Sequence, residues 1–318
     1  MDYWSISYKL AFPDHSVFVK IPKADWYQTD VALVVKDSRA LESAITEFEG
    51  FEQLHRIGNW PVGCASVRPL EYVSSFNSIL TEYVPSEDLF RQCRRAAVLG
   101  MGQAAGAVHL SLRRCGAWLR HFQRAHEDCA PRLFDSGELL ADIRDWATEI
   151  KDLCIRPALV DSVLDRLVHH PWRKELATAR TCEGFEVRNI IVDASGTIRL
   201  VDPGKLSLSS GLKDVAHFLA SLTMLYWGTP ALWLGVLLSR PYRQAFLDGW
   251  GQQDNTADPA VIAWFETWEW FRQWLEAYRV VAQKPYSATV RRLLRAGYVD
   301  AFFLNRIAEA SVRTCPRG

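Results

Sequence analysis

Apolar and polar positions alternate with a period of two along residues 3–12, break at "PDHS" (13–16) and resume in "VFVKIP" (17–22). That spacing predicts a β-hairpin with Lys20 inside its second arm. Over "DSRALESAITEFEGFEQLHRIG" (37–58) the period lengthens, so that Leu41, Ile45, Phe48, Phe51 and Leu54 recur at helical spacing. Asp37 or Ser38 can cap this helix and Gly58 stops it. "SVRPLEYVS" and "NSILTEYV" predict two further strands, and "PSEDL" is a break with its own helix cap. Residues 1–84 therefore read as a small unit of strands with one helix.

From residue 87 the pattern is helical, with helices predicted at 88–97, 101–126, 136–154 and 157–169. A strand hairpin at 189–202 follows: Ile190, Ile191 and Val192, a turn at Asp193-Ala194-Ser195-Gly196, then Ile198, Leu200 and Val201. Helices return at 210–226, 231–238, 240–251, 257–281 and 287–312. No internal repeat or low-complexity tract interrupts the pattern. The run from Val215 to Ser239 carries no formal charge and is long enough to span a bilayer. His217, Ser221, Thr223 and the break "WGTP" (227–230) fit two buried helices better, so the chain is not read as transmembrane.

Composition narrows the function classes. The chain has 318 residues, enough for two lobes, and 49% of them are apolar. Lys+Arg and Asp+Glu both number 37, which gives no electrostatic footprint for nucleic acid. The basic pairs Arg113-Arg114 and Arg291-Arg292 read as solvated helix faces. Seven cysteines at irregular spacing, without a CxxC pair, read as reduced and mostly buried thiols in a cytoplasmic protein. They offer no structural zinc site. The acid at position 2 and the alternating polarity after it do not suit a signal peptide.

The candidate chemistry lies in a few short stretches. "VFVKIPK" carries Lys20, "ITEFEGFEQL" carries Glu47, and "ILTEYVPSEDL" carries Glu82, Tyr83 and Val84. Asn189 in "EGFEVRNIIVD" and Asp202 in "RLVDPG" bracket the hairpin, and "GLKDVAHFLASL" opens with Asp214. In this order the stretches resemble the protein-kinase-like fold, in its small-molecule branch of aminoglycoside phosphotransferases, choline kinases and lipopolysaccharide kinases. The resemblance covers most of the chain at the level of motifs. It implies an α+β, bilobal fold, with a small β-rich N-lobe at 1–84 and a larger helical C-lobe at 85–318 that holds the catalytic-loop hairpin 182–204.

By the same resemblance, Lys20 contacts the α- and β-phosphates of ATP and Glu47 pairs with it. The backbone of Glu82, Tyr83 and Val84 bonds the adenine edge. Asn189 and Asp202 hold Mg²⁺, and the buried Asp214 ties down the catalytic loop. Phosphoryl transfer asks for such types, because its catalysis is mostly positioning and charge neutralisation.

Two parts of the pattern are absent. The family's loop reads HGDxxxxN or HRDxxxxN; here Cys182 stands at the His position and Gly184 at the Asp position of the general base. No Gly-rich phosphate loop precedes Lys20, since the first glycine in the chain is Gly50. Glu183 takes a place that usually points away from the cleft. Glu186 stands where protein kinases carry a lysine that reaches the transferred phosphate, and is expected to act as a displaced base or a further metal ligand; a solvated turn glutamate paired with Arg188 is the plainer alternative. Arg188 is read as bonding loop carbonyls rather than clamping a substrate.

Other residues read as structural. His121 and His126 at i, i+5 fall on different helix faces, and His217 reads as a satisfied core histidine. Nothing cationic next to Cys182 activates it. In "AWFETWEWFRQW", Trp264, Trp268 and Phe271 share a core face, while Trp270 and Trp274 lie on another that could stack on sugar rings or belong to an ordinary helical core with a partner surface. Two functions follow. One is an ATP- and Mg²⁺-dependent phosphotransferase acting on a hydroxyl of a small-molecule or glycan acceptor. The other is a pseudokinase scaffold that regulates a protein partner.

Overall fold

The computed structural model describes residues 5–24, 28–99, 103–125, 131–154, 156–225, 239–251, 258–284 and 286–314. In chain order the elements are β1 (Ser5–Ala11), β2 (Ser16–Pro22), α1 (Val31–Val34), α2 (Ser38–Ile57), β3 (Pro69–Val73), β4 (Ser78–Glu82), β5 (Ser86–Asp88), α3 (Leu89–Leu99) and α4 (Gln103–Arg124). Next come β6 (Arg132–Asp135), α5 (Ser136–Leu153), α6 (Pro157–His169), β7 (Arg173–Leu176), β8 (Thr178–Cys182), β9 (Ile190–Asp193), β10 (Ile198–Leu200) and β11 (Leu206–Ser210). The chain closes with α7 (Leu212–Met224), α8 (Ser239–Trp250), α9 (Pro259–Gln283), α10 (Ala288–Leu294), a π-helical turn (Arg295–Val299) and α11 (Asp300–Arg313). The helix expected at 231–238, the "WGTP" break, Trp227, Trp233, His126, Cys129 and Cys315 lie outside the described residues.

The contacts divide the chain into two compact units. The first is Met1–Glu127 with Ala179–Ser209 and Ser221–Gln252; the second is Asp128–Thr178 with Ser210–Ala220 and Gln253–Gly318.

In the first unit an antiparallel sheet in the order β1-β2-β4-β3 places Lys20 opposite Ile79 on one side and Ser7 on the other. Asp37 caps α2 by accepting the Arg39 N–H, and the helix lays Ala44 and Phe51 on a core shared with Val67 and Ile79. Phe48, Tyr72 and Val201 pack against that core. A second sheet, β10-β9-β5, contains the predicted hairpin and a strand the sequence did not announce, "SED" at β5. Deeper in this unit Trp118 stacks between Trp60 and Phe185, at 4.8 and 5.1 Å between ring centroids. The pair Arg113-Arg114 is not simply solvated: the Arg114 guanidinium donates to the Gly196 carbonyl and so grips the turn of the β9–β10 hairpin.

The second unit is built on α9, which is buried on nearly every side against α5 and α11. Its aromatic pattern corrects the sequence reading. Trp270 and Trp274 are core residues, 3% and 0% exposed, packed on Phe303, and present no free plane to a sugar. Trp268, expected in the core, is the half-buried ring; it leans on Trp146, bonds Asp142 and lies under the Lys213 ammonium. His217 is satisfied as expected, bonded to buried Glu269 at 2.9 Å. The helix expected at 287–312 is interrupted by the π-helical turn at 295–299. No helix among the described residues is long and apolar enough to cross a membrane.

Candidate functional site

Lys20 lies in β2 opposite the fully buried Ile79 of β4, on the same face of the sheet, and is only 7% exposed. A buried ammonium needs partners. Its Nζ donates to Glu47 Oε1 and to Asp202 Oδ2, both at 2.7 Å. Burial acts to lower the lysine's pKa, but the charges of Glu47 and Asp202 outweigh it, and the net shift is upward. Glu47 is itself 5% exposed, so this is a desolvated pair, and breaking it by removing one member costs about 3–5 kcal/mol. One turn beyond Glu47, Gly50 lets α2 approach the segment after Asp202: a Cβ there would meet Pro203 Cγ at 3.1 Å.

The loop 182–189 is folded onto Asp202 and its successors. The N–H groups of Glu183 and Gly184 donate to the carbonyls of Lys205 (3.2 Å) and Pro203 (3.1 Å), and the Cys182 thiol also donates to Pro203. Gly184 is required by this contact. A Cβ at that position would lie 1.9 Å from the Asp202 carbonyl oxygen and 2.8 Å from its carbon, both backbone atoms that cannot swing aside. Position 184 thus lacks room for any side chain in this conformation. Phe185, fully buried on Trp118, and the Val187 N–H, which donates to Ser221 Oγ at 3.1 Å, anchor the rest of the loop.

Asn189 and Asp202 meet at the base of the hairpin, where the Val201 N–H donates to the Asn189 carbonyl at 2.8 Å. The Asn189 side chain donates through Nδ2 to the Gly184 carbonyl at 3.0 Å, which turns its Oδ1 toward other partners. Asp202 is about one-third exposed and uses only Oδ2 on Lys20. Two oxygens of this kind fit a hard divalent cation that draws its remaining ligands from phosphates and water. Among the described residues no group of three His, Cys, Asp or Glu could hold a metal ion by itself.

At the end of β4 the Glu82 N–H donates to Arg68 and the Tyr83 N–H to Ser16, at 3.0 and 3.2 Å. Among the described residues no partner takes the Val84 N–H, while the Val84 carbonyl accepts from Ser86 Oγ.

A cavity of about 470 Å³ opens beside the Lys20–Glu47–Asp202 cluster. Lys23, Arg39, Lys205 and Glu183 share its wall. Glu183, expected to point away from the cleft, is an exposed residue that lines this cavity, brought there by the pairing of residues 183–184 with 203–205. Glu186 is half-buried at the start of the turn 187–189 and does not line the cavity. Among the described residues Arg188 bonds no loop carbonyl; it lies over the Phe90 ring at 4.7 Å.

No protein-family model and no curated protein matches the sequence. Solved structures do. A protein of Ralstonia eutropha JMP134 assigned to the aminoglycoside phosphotransferases superposes with a TM-score of 0.57 at 13% identity, over 98% of this chain and 90% of the other. The spectinomycin phosphotransferase in complex with ADP and spectinomycin gives 0.52 at 12% identity, over 98% and 90%. An amicoumacin kinase in complex with AMP-PNP and Ca²⁺ gives 0.54 at 12% identity, over 99% and 87%. The fold is protein-kinase-like. Identities this low make the likeness one of fold, within the group of small-molecule kinases.

Within the kinase-like fold, Lys20, Glu47 and Asp202 are within bonding reach of one another, and Asn189 stands beside Asp202. Asp214 is buried in the first turn of α7. His121 is not a plain surface residue, since its ring bonds the Gly58 carbonyl and tilts on Trp60. Sequence reasoning set Glu183 aside, took Ser221 only as a polar position in an apolar helix and did not single out Lys205. Their only signal was proximity in the chain to recognised residues. Cys64, Cys93, Cys115 and Cys182 are buried free thiols, and burial pushes Cys64 up to about 11 and Cys93 to about 12, which leaves them protonated and inert.

Proposed function

We propose that the protein is a phosphotransferase that uses ATP and a divalent cation, Mg²⁺, to phosphorylate a hydroxyl of a small-molecule acceptor. The observation that carries this reading is the Lys20–Glu47–Asp202 cluster with Asn189 beside it, inside a fold whose neighbours are small-molecule kinases. Lys20 would hold the α- and β-phosphates, kept in place by Glu47. The Val84 N–H and a carbonyl of the 82–84 segment would take the adenine edge. Asn189 Oδ1 and Asp202 would hold the cation, which supplies charge neutralisation on the transferring phosphate. Lys23, Arg39 and Lys205 would add positive charge around the same cavity.

The missing base is the weak point, and the two carboxylates that flank Gly184 differ. Glu183 shares the cavity with Lys20 and Asp202, so it is better placed than Glu186 to orient an acceptor hydroxyl. In a loose transition state the base contributes less than positioning, so a displaced or weakened base slows transfer without abolishing it. The scaffold reading, in which nucleotide binds weakly or not at all, is favoured by Gly184 and by the lack of a Gly-rich loop before Lys20.

Thermal unfolding of the purified protein with ADP or ATP, with and without Mg²⁺, tests the nucleotide site. A ligand at a hundred times its Kd adds about 2.7 kcal/mol to stability, enough to raise Tm measurably. The expected result is a metal-dependent rise that Asp202→Ala removes. Acceptor screening then compares Glu183→Gln with Glu186→Gln, and the larger loss of kcat is expected for Glu183→Gln. No shift with any nucleotide at millimolar concentration overturns the phosphotransferase reading.

A further inference from the structure

The second compact unit contains a cavity of about 670 Å³ lined by Leu153, Cys154, Ala288, Arg291, Arg292 and Arg295. Positions i, i+1 and i+4 of a helix fall within about a 100° arc, so the three guanidiniums share one side of α10 and the π-helical turn that continues it. Three cations so close repel one another, and such a cluster normally carries interleaved acids. Here no carboxylate lines the cavity, and none of the three arginines forms an ion pair among the described residues. Arg291 donates to the Ala282 carbonyl, and Arg295 lies over the Tyr278 ring. The Arg295 Nε–H is shut off from solvent with no hydrogen-bond partner. Buried Asp300 is engaged by the Tyr278 hydroxyl and does not line the cavity. Burial, with the Asp300 carboxylate bonded behind it, pushes the Cys154 thiol up to about 11, so the thiol itself adds no charge to the wall.

We propose that Arg291, Arg292 and Arg295 form a binding site for a phosphate-bearing small molecule, separate from the Lys20–Asp202 cluster. Guanidinium forks match phosphate oxygens bidentately, and a phosphate group carries enough acceptors and charge for several of them. The volume suits a small ligand rather than a macromolecular surface. The π-helical turn is the kind of local irregularity that re-aims side chains and recurs at functional sites. The site does not depend on the phosphotransferase reading.

The test is pyrophosphate binding to the full chain by calorimetry and thermal shift at low salt. EDTA and an Asp202→Ala background keep the nucleotide site from contributing. Binding that weakens at least tenfold in Arg291→Gln/Arg295→Gln, and that falls with added NaCl, supports the site. Arg295→Lys keeps the charge but loses the fork, and an intermediate loss is expected; it also guards against a double variant that fails to fold. Co-sedimentation with phosphatidylglycerol vesicles, lost in the same variants, would uphold the site with a lipid headgroup as the phosphate source. No pyrophosphate or vesicle binding, binding unchanged by the arginine substitutions, or tighter binding of citrate than of pyrophosphate would overturn the proposal.

Discussion

A methyl group at position 184 would lie 1.9 Å from a backbone oxygen of Asp202, so the glycine there is a packing requirement of the loop as it stands. Restoring the kinase-like aspartate should therefore fail. Gly184→Ala is expected to destabilise by about 2–3 kcal/mol, the scale of overpacking, and Gly184→Asp by more; neither should raise turnover. Urea unfolding with a phosphotransfer assay checks both, and a gain of activity in Gly184→Asp would mean that the loop opens away from Asp202 in the working enzyme. At this scale the sequence was legible where residue type carries the chemistry. Lys20, Glu47, Asn189 and Asp202 were recognisable in order, and three of them form direct bonds. Glu183 was set aside, because the backbone pairing of 183–184 with 203–205 that brings it to the cavity leaves no periodic mark in the chain.

The long elements were read from their period, and the short ones were not. α2 begins and ends within a residue of its predicted bounds because Asp37 and Gly58 mark them. By contrast "SED", "RLFD", "RKEL", "TARTC" and "LSLSS" are strands of three to five residues held by backbone pairing, without a clear apolar alternation to announce them. α9 shows a further limit: it is apolar on nearly every side, so periodicity could not say which tryptophans were spare. It also buries Glu269, whose carboxylate takes His217, Arg272 and Gln273. Burial works to raise this carboxyl's pKa, but the His217 ring and the Arg272 charge outweigh it and hold it well below the ordinary 4.5. The ionised form therefore stabilises the fold in full above 4.5, and its contribution is lost as pH falls below that value toward the depressed one. Glu269→Gln is expected to lose on the order of 2 kcal/mol at pH 7, a gap that narrows as pH drops from 5 to 3. Denaturant titrations at pH 7, 5 and 3 measure it, and a gap constant across that range would show that the charge is not the stabilising feature.

For the whole molecule, a net charge of zero is a poor guide to what lies on each face. Balanced totals conceal segregation: Lys20, Lys23, Arg39 and Lys205 surround one cavity together with acids, while Arg291, Arg292 and Arg295 line another with no acid among its described lining residues. The sequence read Arg291-Arg292 as a solvated face because adjacent arginines look the same whether they point to bulk water or share a cavity. Two sites in two compact units predict two separable footprints in hydrogen exchange, since a ligand slows local opening of the segments it bridges. ADP with Mg²⁺ is expected to protect 17–22, 38–57 and 182–204 in the first unit. Pyrophosphate in EDTA is expected to protect 288–299 in the second and to leave 17–22 unchanged. The two outcomes are independent. Protection by ADP alone would keep the nucleotide site and remove the arginine site, and protection by pyrophosphate alone would do the reverse. A footprint of pyrophosphate on 17–22 and 182–204 that Asp202→Ala abolishes would assign its binding to the first unit, leaving the arginines as a charged wall without a ligand.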